Sequence, residues 1–209
     1  MNIKTISWAL ILIVFGTIRL AHAAQPMDVL KGPVDQIVKI LKDPRYHAAS
    51  KKALQREKMW DIARQIFDFK AIARGTISRY RWSEFTPKQQ EEFTNVFTEF
   101  IGNLYFKKIQ SAYHNEKVVF LKQEMFTKSK ARVMTKIIRD SVETPVDYSM
   151  WLQDGHWKIF NVYVEGVSLL GNYRDQFERF LANSSIDDLV SVLKKKVEQQ
   201  KKEKGVEEQ

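Results

Sequence analysis

The chain has 209 residues, 44% of them hydrophobic, with 34 Lys and Arg against 25 Asp and Glu and no cysteine. Such a length suits one domain with a sizeable core, and the lack of cysteine excludes a disulfide framework, thiol catalysis and a lipidated N-terminal cysteine. Stability must come from packing, for which thirteen Phe and five Trp supply the material.

The chain opens as an export signal would. Lys4 precedes a nearly unbroken apolar run from Ile6 to Ile18, Arg19 ends that run, and Ala21-His22-Ala23 offers a small-x-small cleavage site. The run is short for a bilayer span, which needs about 20 residues, so an uncleaved anchor is the weaker alternative. Residues 1–23 are therefore read as a signal peptide and 24–193 as a single domain. Losing Lys4 and Arg19 with no acid takes the net charge from +9 to +7. Much of the remaining excess lies in "KKKVEQQKKEKGVEEQ" from Lys194, nearly free of apolar residues, which reads as a frayed helix or a disordered tail over 194–209.

In chain order, the first half reads as helical. Pro33 suits the first position of a helix, followed by Val34, Ile37, Val38 and Leu41, and Pro44 ends the segment. A second helix is expected from about Ser50 to Phe67, with Met59, Ile62, Ala63, Ile66 and Phe67 on one face. "RGTISRYRW" (Arg74 to Trp82) interleaves arginine with aromatics as a nucleic-acid surface does. Export argues against nucleic acid, which leaves a solvated loop first and an interaction surface second. Thr86, Pro87 and Gln89 form a capping-box start for the strongest helix. Its wide apolar stripe carries Phe93, Phe97, Phe100, Ile101, Leu104 and Ile109. A stripe so broad must cover something large.

From Lys117 the apolar period changes to two, giving four strands: "EKVVFLKQ", "ARVMTKIIR", "PVDYSMWLQ" and "HWKIFNVYV". Asp154-Gly155 joins the last two as a hairpin turn. Val146, Tyr148, Met150 and Leu152 share one face of the third strand. Two short helices follow, around Tyr173 to Leu181 and Ile186 to Val197, the second capped by Ser185. This order predicts an α+β domain, with N-terminal helices on one face of a curved four-stranded antiparallel sheet and C-terminal helices closing an apolar cavity, in the manner of NTF2-like or cystatin-like cones.

Chemistry is sparse. His47, His114 and His156 are scattered without metal-ligand spacing, and no metal or other cofactor is expected. An acid inside the apolar cavity of a cone fold can act as general acid or base, and Asp68, Asp147 and Glu165 are the candidates. Against this, Asp68 reads as a helix cap and Asp147 as a residue of the polar strand face, so no enzyme is expected. The "NSS" at Asn183 is read as a loop.

Four segments fall in order over nearly the whole mature chain: "REKMWDIARQIFDFKAIAR", "TPKQQEEFTNVFTEFIGNLY", "DGHWKIFNVYVEGVSLLGNYRDQF" and "IDDLVSVL". Together they resemble the MlaC family, the periplasmic phospholipid-binding component associated with an MCE-type ABC transporter, also called the toluene-tolerance auxiliary family. Asn161 departs from the pattern, since many relatives carry Asp there. The resemblance implies a periplasmic carrier that holds a phospholipid by its acyl chains. It would exchange lipid with an outer-membrane lipoprotein–porin complex and an inner-membrane MCE protein, maintaining outer-membrane lipid asymmetry. Relatives linked to hopanoids share much of the pattern, so another amphiphile is an alternative ligand, as a ligand-free adaptor is an alternative function. On this reading the helical stripe, from Phe93 to Ile109, faces a sheet whose inner side carries Val133, Val146, Tyr148, Met150, Phe160 and Val162. Acyl tails occupy the gap, with Val167 and Leu169 at its rim. Arg74, Arg79 and Arg81 are the expected docking residues for a membrane-bound partner.

Overall fold

The computed structural model describes residues 25–207, so the expected export signal lies outside the described residues. Helix α1 spans Pro26–Lys42 and begins two turns before the sequence suggested, with Pro33 inside it. Proline there removes one backbone bond and crowds the carbonyl of Val29, but Gly32 before it has no Cβ to clash with the ring. Leu30 and Val34 keep the packed face continuous across the proline. Two 3₁₀ turns, Pro44–Tyr46 and Ala49–Lys51, lead into α2, Lys52–Ile66.

"RGTISRYRW" is not a loop. It contributes to two short helices, α3 (Phe69–Gly75) and α4 (Arg79–Glu84), started by side-chain caps from Asp68 and Ser78. Asp68 accepts from the Ala71 amide at 2.8 Å, which is the capping role read for it. Helix α5, Pro87–Ala112, starts with the expected capping box of Thr86 and Gln89.

Five strands follow in sequential antiparallel order: β1 Lys117–Thr127, β2 Lys130–Arg139, β3 Val142–Gln153, β4 His156–Val164 and β5 Val167–Ser168. The fifth was not expected. Glu165 and Gly166, at φ 51° and 79°, make a two-residue turn that folds Val167 back opposite Val164. Asp154-Gly155 turns in the same way, at φ 50° and 79°.

Helix α6 is Leu169–Leu181 and α7 is Ile186–Glu207. The charged segment from Lys194 to Glu207 thus forms the C-terminal part of α7. Leu189, Leu193 and Val197 recur every four residues and are buried, holding α7 alongside α5. Lys201 pairs with Glu99 at 2.9 Å across that seam. Exposed pairs of this kind add little, so the apolar seam holds the helix down.

Burial divides into three clusters. The helical cluster joins Phe93, Phe97 and Ile101 of α5 to Phe177 and Leu181 of α6 and to the α7 seam. The sheet cluster joins Val133, Met150, Trp157 and Ile159 to Leu30 of α1 and Ile66 of α2. A third ties Leu41, Met59, Ala63 and Phe106 together between α1, α2 and α5. The α5 stripe therefore does not face the sheet: it faces α6 and α7, while α1 and α2 cover the sheet. Every one of these helices has an apolar face, and sequence spacing alone does not say which face meets which.

Candidate functional site

The helix-covered face of the sheet follows from the register. On β2 it carries Ala131, Val133, Thr135 and Ile137, paired with Met150, Tyr148, Val146 and Thr144 of β3. On β4 it carries Val162 and Val164, opposite Tyr148 and Val146, and Val167 of β5 lies opposite Val164. At the end bearing the β3–β4 turn this face is sealed: Ala131, Val133, Met150 and Ile159 are buried under α1 and α2. Toward the β2–β3 turn it is not. Val118, Ile137 and Val164 are only half-buried, and Val142 and Val167 are 58% and 59% exposed. Five aliphatic side chains thus form an open apolar strip on one face of one sheet end. Thr135 lies beside it without disturbing its character, because its hydroxyl donates to the Val146 carbonyl at 2.7 Å.

Helices α3 and α6 lie against β4 and border the strip. The Asp68 amide donates to the Ile159 carbonyl at 2.8 Å, pinning the start of α3 to the sheet. Arg174 donates through Nε at 2.8 Å to the carbonyl of Gly75, closing the far end of α3 onto α6. Tyr148, at the boundary between sealed and open face, has a phenol raised to about 12, first by burial and then by the Asp147 charge, with a Thr135 hydrogen bond opposing. It stays a neutral donor at any physiological pH.

The corner from β4 to α6 is built by hydrogen bonds. Ser168 caps α6 by accepting from the Gly171 amide at 2.9 Å. Asn161 donates through Nδ2 to the Ser168 hydroxyl at 2.8 Å, and its Oδ1 accepts from the Leu170 amide at 3.2 Å. The Pro145 carbonyl accepts from the Glu165 amide at 2.9 Å, fixing the β4–β5 turn to β3.

A family model for the MlaC protein matches residues 31–195, most of the chain. The chain belongs to the MlaC family. Among curated proteins, it is 26% identical over 164 residues to the toluene tolerance protein ttg2D of Pseudomonas putida, covering 76% of this chain and 74% of that one. Among solved structures, it is similar to a phospholipid-binding protein from Ralstonia solanacearum determined in complex with a phospholipid. That match has a TM-score of 0.71 at 21% identity and covers 85% of this chain and 99% of the other, which shows a shared fold.

The residues that carried the MlaC resemblance now have physical roles. Trp157 and Ile159 enter the sheet cluster, and Glu165-Gly166 make the turn. Ser168 caps α6, Tyr173 packs edge-on against Phe97 with centroids 5.2 Å apart, and Arg174 binds Gly75. The Asn161 departure preserves the corner: an Asp there would accept from both partners, whereas Asn donates to one and accepts from the other.

The expected site residues separate into groups. Val146, Tyr148, Val162 and Val167 lie on the strip or at its boundary, and Leu169 is half-buried at the start of α6 beside it. Val133 and Met150 are fully buried in the sheet cluster. Phe93, Phe97 and Ile101 are sealed in the helical cluster, with Phe100 packed against it and Leu104 half-buried on the same helix. A charge at Phe97 would therefore unfold the protein rather than empty a pocket. Phe160 is on the opposite face, its ring 5.1 Å from Trp151. A β-bulge where Ser149 and Met150 pair with Asn161 and Ile159 changes the parity of β4, so Phe160 and Val162 face opposite ways.

Val118, Ile137, Val142 and Val164 were not singled out from the sequence. Alternation within their strands held part of the signal, but only pairing register shows them as neighbours. Of the arginines, Arg74 lies 5.2 Å over the Trp82 ring and Arg81 pairs with Glu178 at 3.0 Å, so both are framework residues. Arg79 is exposed beside Tyr80, which is 74% exposed. His47, His114, His156 and Glu165 are all exposed, and Asp147 is half-buried on the face opposite the strip. Two clefts lie away from the strip: one of about 140 Å³ between α2 and α5, and an open one of about 600 Å³ between α5 and α7. Charged side chains line both, which suits neither to an acyl chain.

Proposed function

We propose that this protein is a lipid carrier that binds a phospholipid by its acyl chains along the open strip and moves it through the periplasm. The observation that carries the reading is the strip itself. Five aliphatic residues without full cover on one face of a sheet, two of them more than half exposed, are costly in water and unexplained by packing, in a family fold whose solved neighbour holds a phospholipid.

The physics of the task fits such a surface. Each buried methylene is worth about 0.8 kcal/mol, so two chains of roughly fifteen carbons amount to on the order of 20 kcal/mol against water. A lipid does not leave a bilayer at a useful rate unless the receiving surface is as apolar as the one it leaves. A strip of Val and Ile offers that, and makes exchange nearly neutral and reversible. No bond is made or broken, so directionality belongs to the partners, an outer-membrane lipoprotein–porin complex and the MCE protein of an inner-membrane transporter. Docking to them falls to Arg79 with Tyr80, the part of the arginine cluster that the framework leaves free.

Mature protein purified from the periplasm is expected to yield phospholipid on extraction and a lipid-bound species by native mass spectrometry. Val164→Asp and Val167→Asp, neither of them fully buried, are expected to remain folded by circular dichroism and to lose that species. A lipid-free wild type, or undiminished lipid in both folded variants, would overturn the reading in favour of a ligand-free adaptor.

A further inference from the structure

Edge strand β1 shifts register against β2 twice, between Phe120 and Lys122 and between Met125 and Thr127. Each shift leaves one residue without a cross-strand partner, Leu121 and Phe126. Both are large and apolar, and they are 53% and 57% exposed. Bulges re-aim side chains, and edge strands are normally blunted by charge and twist rather than by presenting hydrophobic side chains. One exposed leucine needs no explanation, but two apolar side chains ejected from one edge strand within six positions do.

The surroundings point to one kind of partner. Lys122, Lys128 and Lys130 are all exposed, and Arg132 lies 5.7 Å over the Phe126 ring. Glu124 is the one carboxylate in this hairpin and is engaged by Lys122 at 2.6 Å. The β3–β4 turn at the same end of the sheet adds a single acid, Asp154. Apolar tips ringed by lysines complement an anionic bilayer: the tips enter the boundary between headgroups and chains while the lysines meet phosphates.

We infer that the β1–β2 hairpin is a docking surface for an anionic phospholipid bilayer. The docking part is its turn side, Leu121 to Arg132, while the strip takes Val118 and Ile137 from the other end of the same two strands and opens toward the β2–β3 turn. Docking there holds the protein at a membrane while the strip stays accessible to a protein partner. The surface is separate from the lipid-carrying strip and does not depend on it.

The test is co-sedimentation of the full mature protein with phosphatidylglycerol or phosphatidylcholine vesicles. Wild type is expected to bind phosphatidylglycerol more than about tenfold better, and less so as salt rises. Lys128→Glu with Lys130→Glu should abolish the preference, and Leu121→Ser with Phe126→Ser should weaken binding about fivefold or more. Both double variants should keep their extracted lipid, whereas Val164→Asp should lose lipid and still bind vesicles. Equal binding to the two vesicles, no binding to either, or hairpin variants that bind like wild type would overturn the inference.

Discussion

The helical cluster around Phe97 and the open end of the sheet around Val164 are built from similar apolar side chains and differ in what covers them. Phe97 stacks on Phe93 at 5.6 Å and meets Phe177 and Tyr173 edge-on at 5.4 and 5.2 Å, with no exposed surface. Val164 has neighbours along its strands but no helix that seals it, and Val142 and Val167 beyond it are mostly exposed. Apolar content therefore does not distinguish core from ligand surface. Coverage does: the first region is satisfied within the molecule, and the second becomes satisfied only with something added.

The largest test of that contrast is Phe97→Ala. It should cost about 3–5 kcal/mol, because rigid rings on several sides cannot close the gap. At roughly 2–4 °C per kcal/mol for a domain of this size, the melting temperature should fall by about 6–20 °C. Lipid bound per folded molecule should not change. A variant that kept its melting temperature and lost its lipid would show that the helical cluster, not the sheet end, is the binding surface.

A single methyl group added on each side sharpens the same contrast. A Cβ at Gly102 would lie 1.7 Å from Trp60 Cζ2, and Trp60 is held by Phe69 and Phe106 at 5.0 and 5.2 Å. Gly102→Ala should therefore cost about 1–3 kcal/mol, or more if the indole cannot shift. A Cβ at Gly75 would lie 2.5 Å from Leu170 Cδ1, the far end of a flexible side chain bordering the strip. There the leucine can rotate and alanine favours the helix, so Gly75→Ala should cost under about 1 kcal/mol. Urea midpoints for the two variants give the comparison, and equal losses would mean the border of the strip is as tightly packed as the interior.

What the sequence disclosed follows the same division. Local chemistry was legible: the Thr86 capping box, the Asp68 and Ser185 caps, the Asp154-Gly155 turn and four strands all stand where spacing put them. The family was legible too, because its motif residues hold one corner together. Pairing between distant elements was not. The α5 stripe announced a large partner without saying whether it was the sheet or α6 and α7. Phe160 was assigned to the wrong face because a bulge leaves no mark in hydrophobic periodicity. The strip was seen only at Val167, with Val146 and Val162 at its boundary, because its other members gain meaning only from strand register. The segment from Lys194 onward reads as a frayed helix or a disordered tail, since Val197 alone does not show that a helix is seated on α5.

The smallest predicted effect concerns the clamp that closes α6 onto α4. Glu178 accepts from the Ser78 amide at 2.9 Å and from Arg81 Nε at 3.0 Å. Burial alone would raise its carboxyl, but the Ser78 bonds and the Arg81 guanidinium outweigh that and hold it below the usual range. A depressed carboxylate stabilises the fold fully above its unfolded value, about 4.3, and that contribution is lost as pH falls through the lower folded value. Both partners are about one-third exposed, so the pair is worth about 1 kcal/mol or less. Glu178→Gln keeps the Ser78 hydrogen bond and removes the charge. Urea unfolding should show it less stable than wild type at neutral pH by that amount, with the gap narrowing as pH drops below about 4. Because this clamp joins two helices of the sealed region, bound lipid should be the same in both proteins at neutral pH. Lipid lost in proportion to the stability lost would mean that the strip is held open by the helical side, and that the two regions act as one.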